Sequence, residues 1–269
     1  IFILPVSLVN KTFAQNILPQ KGLCAHRGSS VNYPENTIPA FQEAIFVGAQ
    51  MIEMDPRMTK DSVLVLMHDE RVDRTTNGKG FVRNITLSEI KKLDAGEKKD
   101  KSFIGVSVPT FEEALSIMPK NIWINCHTRD DVAAAVEATK IIAKLGRLHQ
   151  AFLACSHKAA EAARKTDSRI MICNMDDQTE EPGKYLLSSK EIRANFMQFW
   201  PYKYPLTGNW VAAAKKEGIR INYFQSGEIK PNDLKRLFDE GIQFILVNNI
   251  DEMMPIAKKC GVEPVQPQF

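Results

Sequence analysis

Three short stretches carry residues able to handle protons, anions and metal ions: His26-Arg27-Gly28, Glu53-Met54-Asp55 and His68-Asp69. Glu53 and Asp55 stand two apart in an apolar run, so strand alternation points both carboxylates to one face, opposite Met54. Two carboxylates aimed inward are costly to bury unpaired and make a natural site for a hard divalent cation. His26 directly follows another apolar run, and His68 closes a third. Taken singly, each piece has an ordinary structural explanation. A histidine at a strand end is commonly just hydrogen-bonded, and acids at i and i+2 commonly line a solvated edge. To act together they need a fold that gathers several strand ends at one mouth.

The elements supply such a fold. Past residue 19 the chain alternates short β-rich apolar runs with amphipathic helical stretches, the pattern of a parallel sheet with crossover helices. The runs fall at 22–25, 51–55, 123–126, 152–155, 169–173, 196–199, 220–224 and 244–247, eight in all. Residues 20–269 then have the length of one domain, an α/β fold of the TIM (β/α)8 barrel type, with its chemistry at the C-terminal strand ends. A ninth run at 63–67 lies too close to Asp55 for a helical crossover, so it turns back as a hairpin-like excursion through Lys60-Asp61-Ser62. The residues from about 70 to 108, rich in Gly, Lys and Asp, form an insertion after the second barrel strand, placed to cover the active face. Thr37 stands where it can cap the first helix, with Pro39 in its first turn and Gly48 past its end. The Ala-rich stretch 130–145 is a further helix, followed by Gly146.

The ordered set of motifs is more specific than any one of them. His26-Arg27-Gly28 precedes Pro34-Glu35-Asn36-Thr37, then Glu53-Met54-Asp55 with Thr59-Lys60-Asp61, then His68-Asp69 and Asp73-Arg74-Thr75-Thr76-Asn77-Gly78, and later Pro109-Thr110-Phe111-Glu112-Glu113. Across residues 22 to 115 this series strongly resembles the glycerophosphodiester phosphodiesterase family. The resemblance implies a metal-dependent phosphodiester hydrolase on a TIM barrel, acting on glycerophosphodiesters or related small alcohol phosphodiesters. By carry-over, His26 and His68 are the general acid and base, Arg27 binds phosphate, and Glu53 and Asp55 ligate Ca²⁺ or Mg²⁺. The chemistry agrees with those roles. A diester has a poor alkoxide leaving group, so one group must take a proton from the nucleophile and another must give one to the leaving oxygen. Charge developing on the phosphoryl oxygens calls for a cation and a forked donor. The nucleophile is water or the substrate's own neighbouring glycerol hydroxyl.

The chain departs from the family where the third barrel strand usually carries Glu-x-Lys. Asn125-Cys126-His127 stands there, so a third carboxylate ligand is missing and an imidazole replaces an ammonium. Asn125 and His127 still share one face. Fewer anionic ligands imply weaker retention of a hard ion, and a ligating His127 would favour Zn²⁺ or Mn²⁺. Loss of activity, leaving a phospho-ligand-binding barrel, is one alternative; a lyase-like enzyme that stops at a cyclic phosphate is another. Asn222-Tyr223-Phe224-Gln225 and Val247-Asn248 also depart from the usual Trp-Thr and Thr-Asp pairs, which alters the substrate pocket. Phe199-Trp200 and Tyr223-Phe224 place aromatics near the mouth, Phe224 among the additional site residues, though each also suits ordinary core packing.

Composition sets the partners. Thirty-five Lys and Arg against 32 Asp and Glu leave a net charge of +3 with the signs intermixed, which gives no footprint for nucleic acid or an anionic membrane. The expected partner is a small-molecule phosphodiester. The five cysteines stand singly and read mostly as buried small hydrophobes. Residues 1–19 resemble the rear half of a secretory signal or an N-terminal arm. Their apolar start is too short to span a bilayer, and Thr12-Phe13-Ala14 precedes Gln15, so an extracytoplasmic location is expected.

Overall fold

In chain order the strands of this computed structural model are β1 (Gly22–Ala25), β2 (Met51–Met54), β3 (Pro56–Met58), β4 (Leu64–Leu66), β5 (Trp123–Arg129), β6 (Ala151–Cys155), β7 (Met171–Asn174), β8 (Phe196–Phe199), β9 (Arg220–Tyr223) and β10 (Phe244–Val247). The structure describes residues 18–200, 208–224 and 229–269. The leader-like residues 1–17 and Gln225 lie outside the described residues. All strands but β3 and β4 pair in parallel and close into a barrel, β1-β2-β5-β6-β7-β8-β9-β10 and back to β1. Helices lie between the strands, among them α1 (Ile38–Phe46), α2 (Leu87–Ile90), α3 (Phe111–Ile117) and α4 (Val132–Lys144). Both faces of each barrel strand are covered, which is why the strands read as continuous apolar runs. No helix among the described residues is long and apolar enough to cross a membrane.

The core has three parts, and their placement decides where polar groups can sit. Outside the strands, side chains such as Phe41, Ile52, Phe111, Leu153 and Tyr223 pack against the helices. Inside the barrel, Met51, Trp123, Phe152, Phe196 and Phe244 gather near the starts of their strands. The Phe152 and Phe196 rings stack at 4.1 Å and Trp123 meets Phe196 edge-on at 5.2 Å. This aromatic plug excludes water from the lower barrel. The inward positions further along, Glu53 opposite Asn125, are polar. A third cluster, including Val65, Met67, Val72, Val82, Ile90 and Val108, joins the excursion to the insertion.

The ninth run behaves as its spacing requires. β3 and β4 form an antiparallel pair, Pro56 opposite Leu66 and Met58 opposite Leu64. Ser62 makes the turn at φ 62°, and His68 follows at the excursion's end. One expected boundary is corrected: β5 runs to Arg129 rather than ending at Cys126, with irregular pairing to β6 between His127 and Arg129. Its last residues are polar, His127 and Arg129 because they face the mouth, so the apolar signal stops before the strand does. A second correction concerns Thr37, which occupies the cap position of α1 but donates its hydroxyl to Pro34 O at 2.6 Å instead of accepting from the helix. Cys24, Cys126, Cys155 and Cys173 are buried free thiols, as expected, while Cys260 is half-buried.

Candidate active site

Asp55 is the centre of the mouth, fully buried at the end of β2. Its Oδ1 accepts from Arg129 Nη2 at 2.6 Å and lies 3.5 Å from His127 Nδ1. Its Oδ2 accepts from Asn36 Nδ2 at 2.8 Å and lies 3.6 Å from Arg27 Nε. Burial alone would raise this carboxyl, but the His127 hydrogen bond and the Arg129 charge outweigh it and hold Asp55 far below the usual carboxylate range. Glu53, also buried, accepts from Arg27 N at 2.9 Å through Oε2 and approaches His127 Nδ1 at 3.6 Å through Oε1. Desolvation works against the charged imidazole of His127, yet Asp55 and Glu53 together raise it.

Backbone shape aims these groups. Arg27, Asn36 and Arg129 are non-glycine residues in the left-handed region, at φ 59°, 58° and 59°, and all three converge on Asp55. Beside Arg27, Gly28 has φ 80°, and a Cβ there would stand 2.7 Å from the Ala40 carbonyl. Only glycine lets the chain turn against α1 at this point.

The two histidines flank this cluster. His26 Nδ1 lies 2.5 Å from Asn248 Oδ1 at the end of β10, an acceptor that leaves Nε2 facing away from the hydrogen bond. His68 Nδ1 lies 2.7 Å from Asp69 Oδ1. Burial is the largest influence on His68 and lowers it from 6.5, with Asp55 and Asp69 opposing, which favours the neutral ring. Behind it runs a chain of ion pairs: Arg74 binds Asp69 through Nε at 2.7 Å and Glu35 through Nη2 at 2.7 Å, and Glu35 binds Arg27 Nη1 at 3.0 Å. This chain ties the insertion to the first barrel strand.

The expected residues His26, Arg27, Glu53, Asp55, His68 and His127 all belong to this mouth. Glu53, Asp55 and His127 each offer a donor atom, all within 4.8 Å of one another. Asn125 is buried beside Glu53, and neither atom of its amide has a hydrogen-bond partner. Two carboxylates, an imidazole and an orphaned amide oxygen form a donor set that fits a divalent cation. Phe224 stands edge-on to His26 at 5.9 Å and to Trp200 at 5.9 Å, giving the mouth an aromatic side. Phe199 and Tyr223, grouped with them in sequence, point the other way into the outer core. Sequence reasoning missed Arg129 and the partner role of Asn248. The alternation 125, 127, 129 was the available signal for the former.

The sequence matches the glycerophosphoryl diester phosphodiesterase family over residues 26–252. It is 43% identical over 257 residues to a glycerophosphodiester phosphodiesterase of Bacillus subtilis, covering 87% of this chain and 85% of that protein. It is 32% identical over 248 residues to one of Caldanaerobacter subterraneus, covering 88% and 98%. Among solved structures, a glycerophosphodiester phosphodiesterase of Agrobacterium tumefaciens superimposes with TM-score 0.76 at 25% identity, over 87% of this chain and 99% of that one. An Oleispira antarctica phosphodiesterase, solved in complex with the product sn-glycerol-3-phosphate, shares the fold with TM-score 0.73 at 20% identity, covering 90% and 97%.

Proposed function

The chain belongs to the glycerophosphoryl diester phosphodiesterase family and is a hydrolase of glycerophosphodiesters, and from that premise we propose how its own residues divide the work. Glu53, Asp55 and His127 hold a divalent cation, with the Asn125 amide oxygen beside them. Such an ion, Ca²⁺ or Mg²⁺ by the hardness of the carboxylates and Zn²⁺ or Mn²⁺ by the imidazole, supplies positive charge to the phosphoryl oxygens and to the attacking oxygen. Arg27 holds the phosphate. Its backbone is fixed by Glu53, Nη1 by Glu35, and the buried Nε faces Asp55 Oδ2 at 3.6 Å, which leaves Nη2 for an anionic oxygen.

His68 takes the proton from the nucleophile. Burial favours its neutral ring, and Asp69 at Nδ1 fixes the tautomer that leaves Nε2 as the acceptor. His26 gives a proton to the leaving alcohol through Nε2, its Nδ1 being held by Asn248. Phe224 and Trp200 offer apolar surface to the carbon face of a glycerol moiety. The product of this cleavage is a phosphomonoester of the kind bound by the Oleispira antarctica protein, sn-glycerol-3-phosphate.

The observation that carries this reading is the gathering of Glu53, Asp55 and His127 between one histidine-arginine pair and a second histidine. Phosphorus NMR of a glycerophosphodiester incubated with the protein and each divalent metal tests it. A phosphomonoester signal is expected. A cyclic phosphate that persists would assign the protein a lyase-like reaction, and no turnover across metals and a panel of diesters would sink the catalytic roles.

A further inference from the structure

Arg129 has no part in the chemistry assigned above, yet it makes the closest contact to the buried carboxylate, Nη2 to Asp55 Oδ1 at 2.6 Å. Its backbone is left-handed at φ 59°, a conformation that side-chain-bearing residues adopt only against steric resistance. It stands where the pairing of β5 with β6 becomes irregular, a distortion that re-aims a strand-end side chain. The same left-handed φ of 59° at the end of β1 aims Arg27 at the opposite oxygen of the same carboxylate. Two guanidinium groups thus bracket Asp55, with side chains 17% and 24% exposed while the carboxylate between them is fully buried.

Each oxygen of Asp55 already accepts a hydrogen bond. Asn36 occupies Oδ2, and Arg129 occupies Oδ1, the oxygen that lies nearest His127 and so belongs to the ligand cluster. A divalent ion drawn to Glu53, Asp55 and His127 meets the Arg129 guanidinium at that oxygen, and two cations repel strongly in a partly desolvated mouth. We propose that Arg129 holds Asp55 in the metal-free protein and, when the ion takes Oδ1, becomes a second guanidinium for the phosphate opposite Arg27. A released guanidinium on a short tether at the same mouth has a forked set of donors that matches a phosphate edge. The inference rests on the metal site proposed above.

Calorimetry on the full chain separates this role from a structural one, because it requires two affinities to move in opposite directions. Mg²⁺ or Ca²⁺ alone is titrated into the parent, Arg129→Gln and Arg129→Lys, and sn-glycerol-3-phosphate is then titrated into each protein with the ion present. Removing one competing charge should tighten the ion roughly tenfold or more in Arg129→Gln. Losing a forked donor should weaken sn-glycerol-3-phosphate roughly tenfold or more. Arg129→Lys keeps the charge without the fork and should leave ion affinity near the parent's while weakening the phosphate ligand; it also serves as the readout if the Gln variant does not fold. Unchanged or weaker ion binding in Arg129→Gln, or unchanged sn-glycerol-3-phosphate binding in both variants, overturns the inference while leaving the metal site standing. Failure of every protein to bind a divalent ion overturns both.

Discussion

His26 and His68 are chemically the same residue placed in two different settings. Asn248 presents a neutral amide oxygen to one ring and Asp69 a carboxylate to the other, and burial lowers His68 from 6.5. A base in this position must be unprotonated, so the lowered value keeps His68 competent through neutrality and places loss of turnover on the acid side, below the ordinary histidine value. His26→Ala and His68→Ala should each lower turnover by about 10² to 10⁴, the usual worth of a positioned acid or base. In Asp69→Asn the acid limb of the pH–rate profile should move further down, since a carboxylate that favours the charged ring is gone. Near-parental turnover in either alanine variant would remove that histidine from the mechanism. These residues were legible in the sequence because their types are rare at strand ends and their order is distinctive. Asn36 and Arg129 were not legible as Asp55 partners, since their aim depends on a left-handed φ that neither residue type announces.

At the scale of elements, periodicity located all eight barrel strands because each is buried on two faces and reads as an apolar run. The same criterion cut β5 short, for its final stretch is polar, with His127 and Arg129 turned to the mouth. The antiparallel excursion followed from distance alone, since no helix fits between Asp55 and Val63. The one helix start read as a cap, Thr37, sits at the cap position without capping, whereas Thr110 and Glu113, noted in the sequence only among the ordered motifs, form a reciprocal pair at the start of α3. Thr110 Oγ1 accepts from Glu113 N at 3.1 Å, and Glu113 Oε2 accepts from Thr110 N at 2.8 Å. This box fixes the point where the insertion returns to the barrel. Thr110→Ala should therefore destabilise the protein by about 1 kcal/mol, the common cost of a lost cap, with turnover unchanged. A chemical denaturation midpoint identical to the parent's would show that Glu113, through its 2.5 Å contact with Lys91 Nζ, holds the helix start unaided.

The whole molecule is a closed barrel with a second, smaller hydrophobic body laid over one side of its mouth. Val65 and Met67 of the excursion pack with Val72, Val82 and Ile90 of the insertion in a hydrophobic cluster separate from the two barrel cores. Its alignment with the barrel matters, because His68 belongs to the excursion while Arg27 and Asp55 belong to barrel strand ends. Arg74 joins the two, pairing with Asp69 on one side and with Glu35, the partner of Arg27, on the other. Arg74→Ala should leave both cores folded and misalign them. Turnover should fall roughly 10-fold, as for other supporting partners of site residues. Amide exchange should quicken across 68–82 while β5 to β8 keep their protection. The arginine is nearly half exposed, so solvent screening limits the stability loss to about 1 kcal/mol. For Glu35 desolvation opposes the shift, but Arg74 and Arg27 outweigh it and hold the carboxyl below its ordinary 4.5; Arg74 is the main cause of the lowered Asp69, which lies below 3.8. Stability from a lowered carboxyl is complete above its ordinary value and disappears as the pH falls through the lowered one. The difference between parent and Arg74→Ala should accordingly be full at pH 7 and narrow as the solution is acidified below 4.5. Thermal unfolding at both ends of that range decides it: a gap that stays constant, or an exchange increase spread evenly over the barrel strands, would mean that Arg74 stabilises the fold at large instead of joining its two bodies.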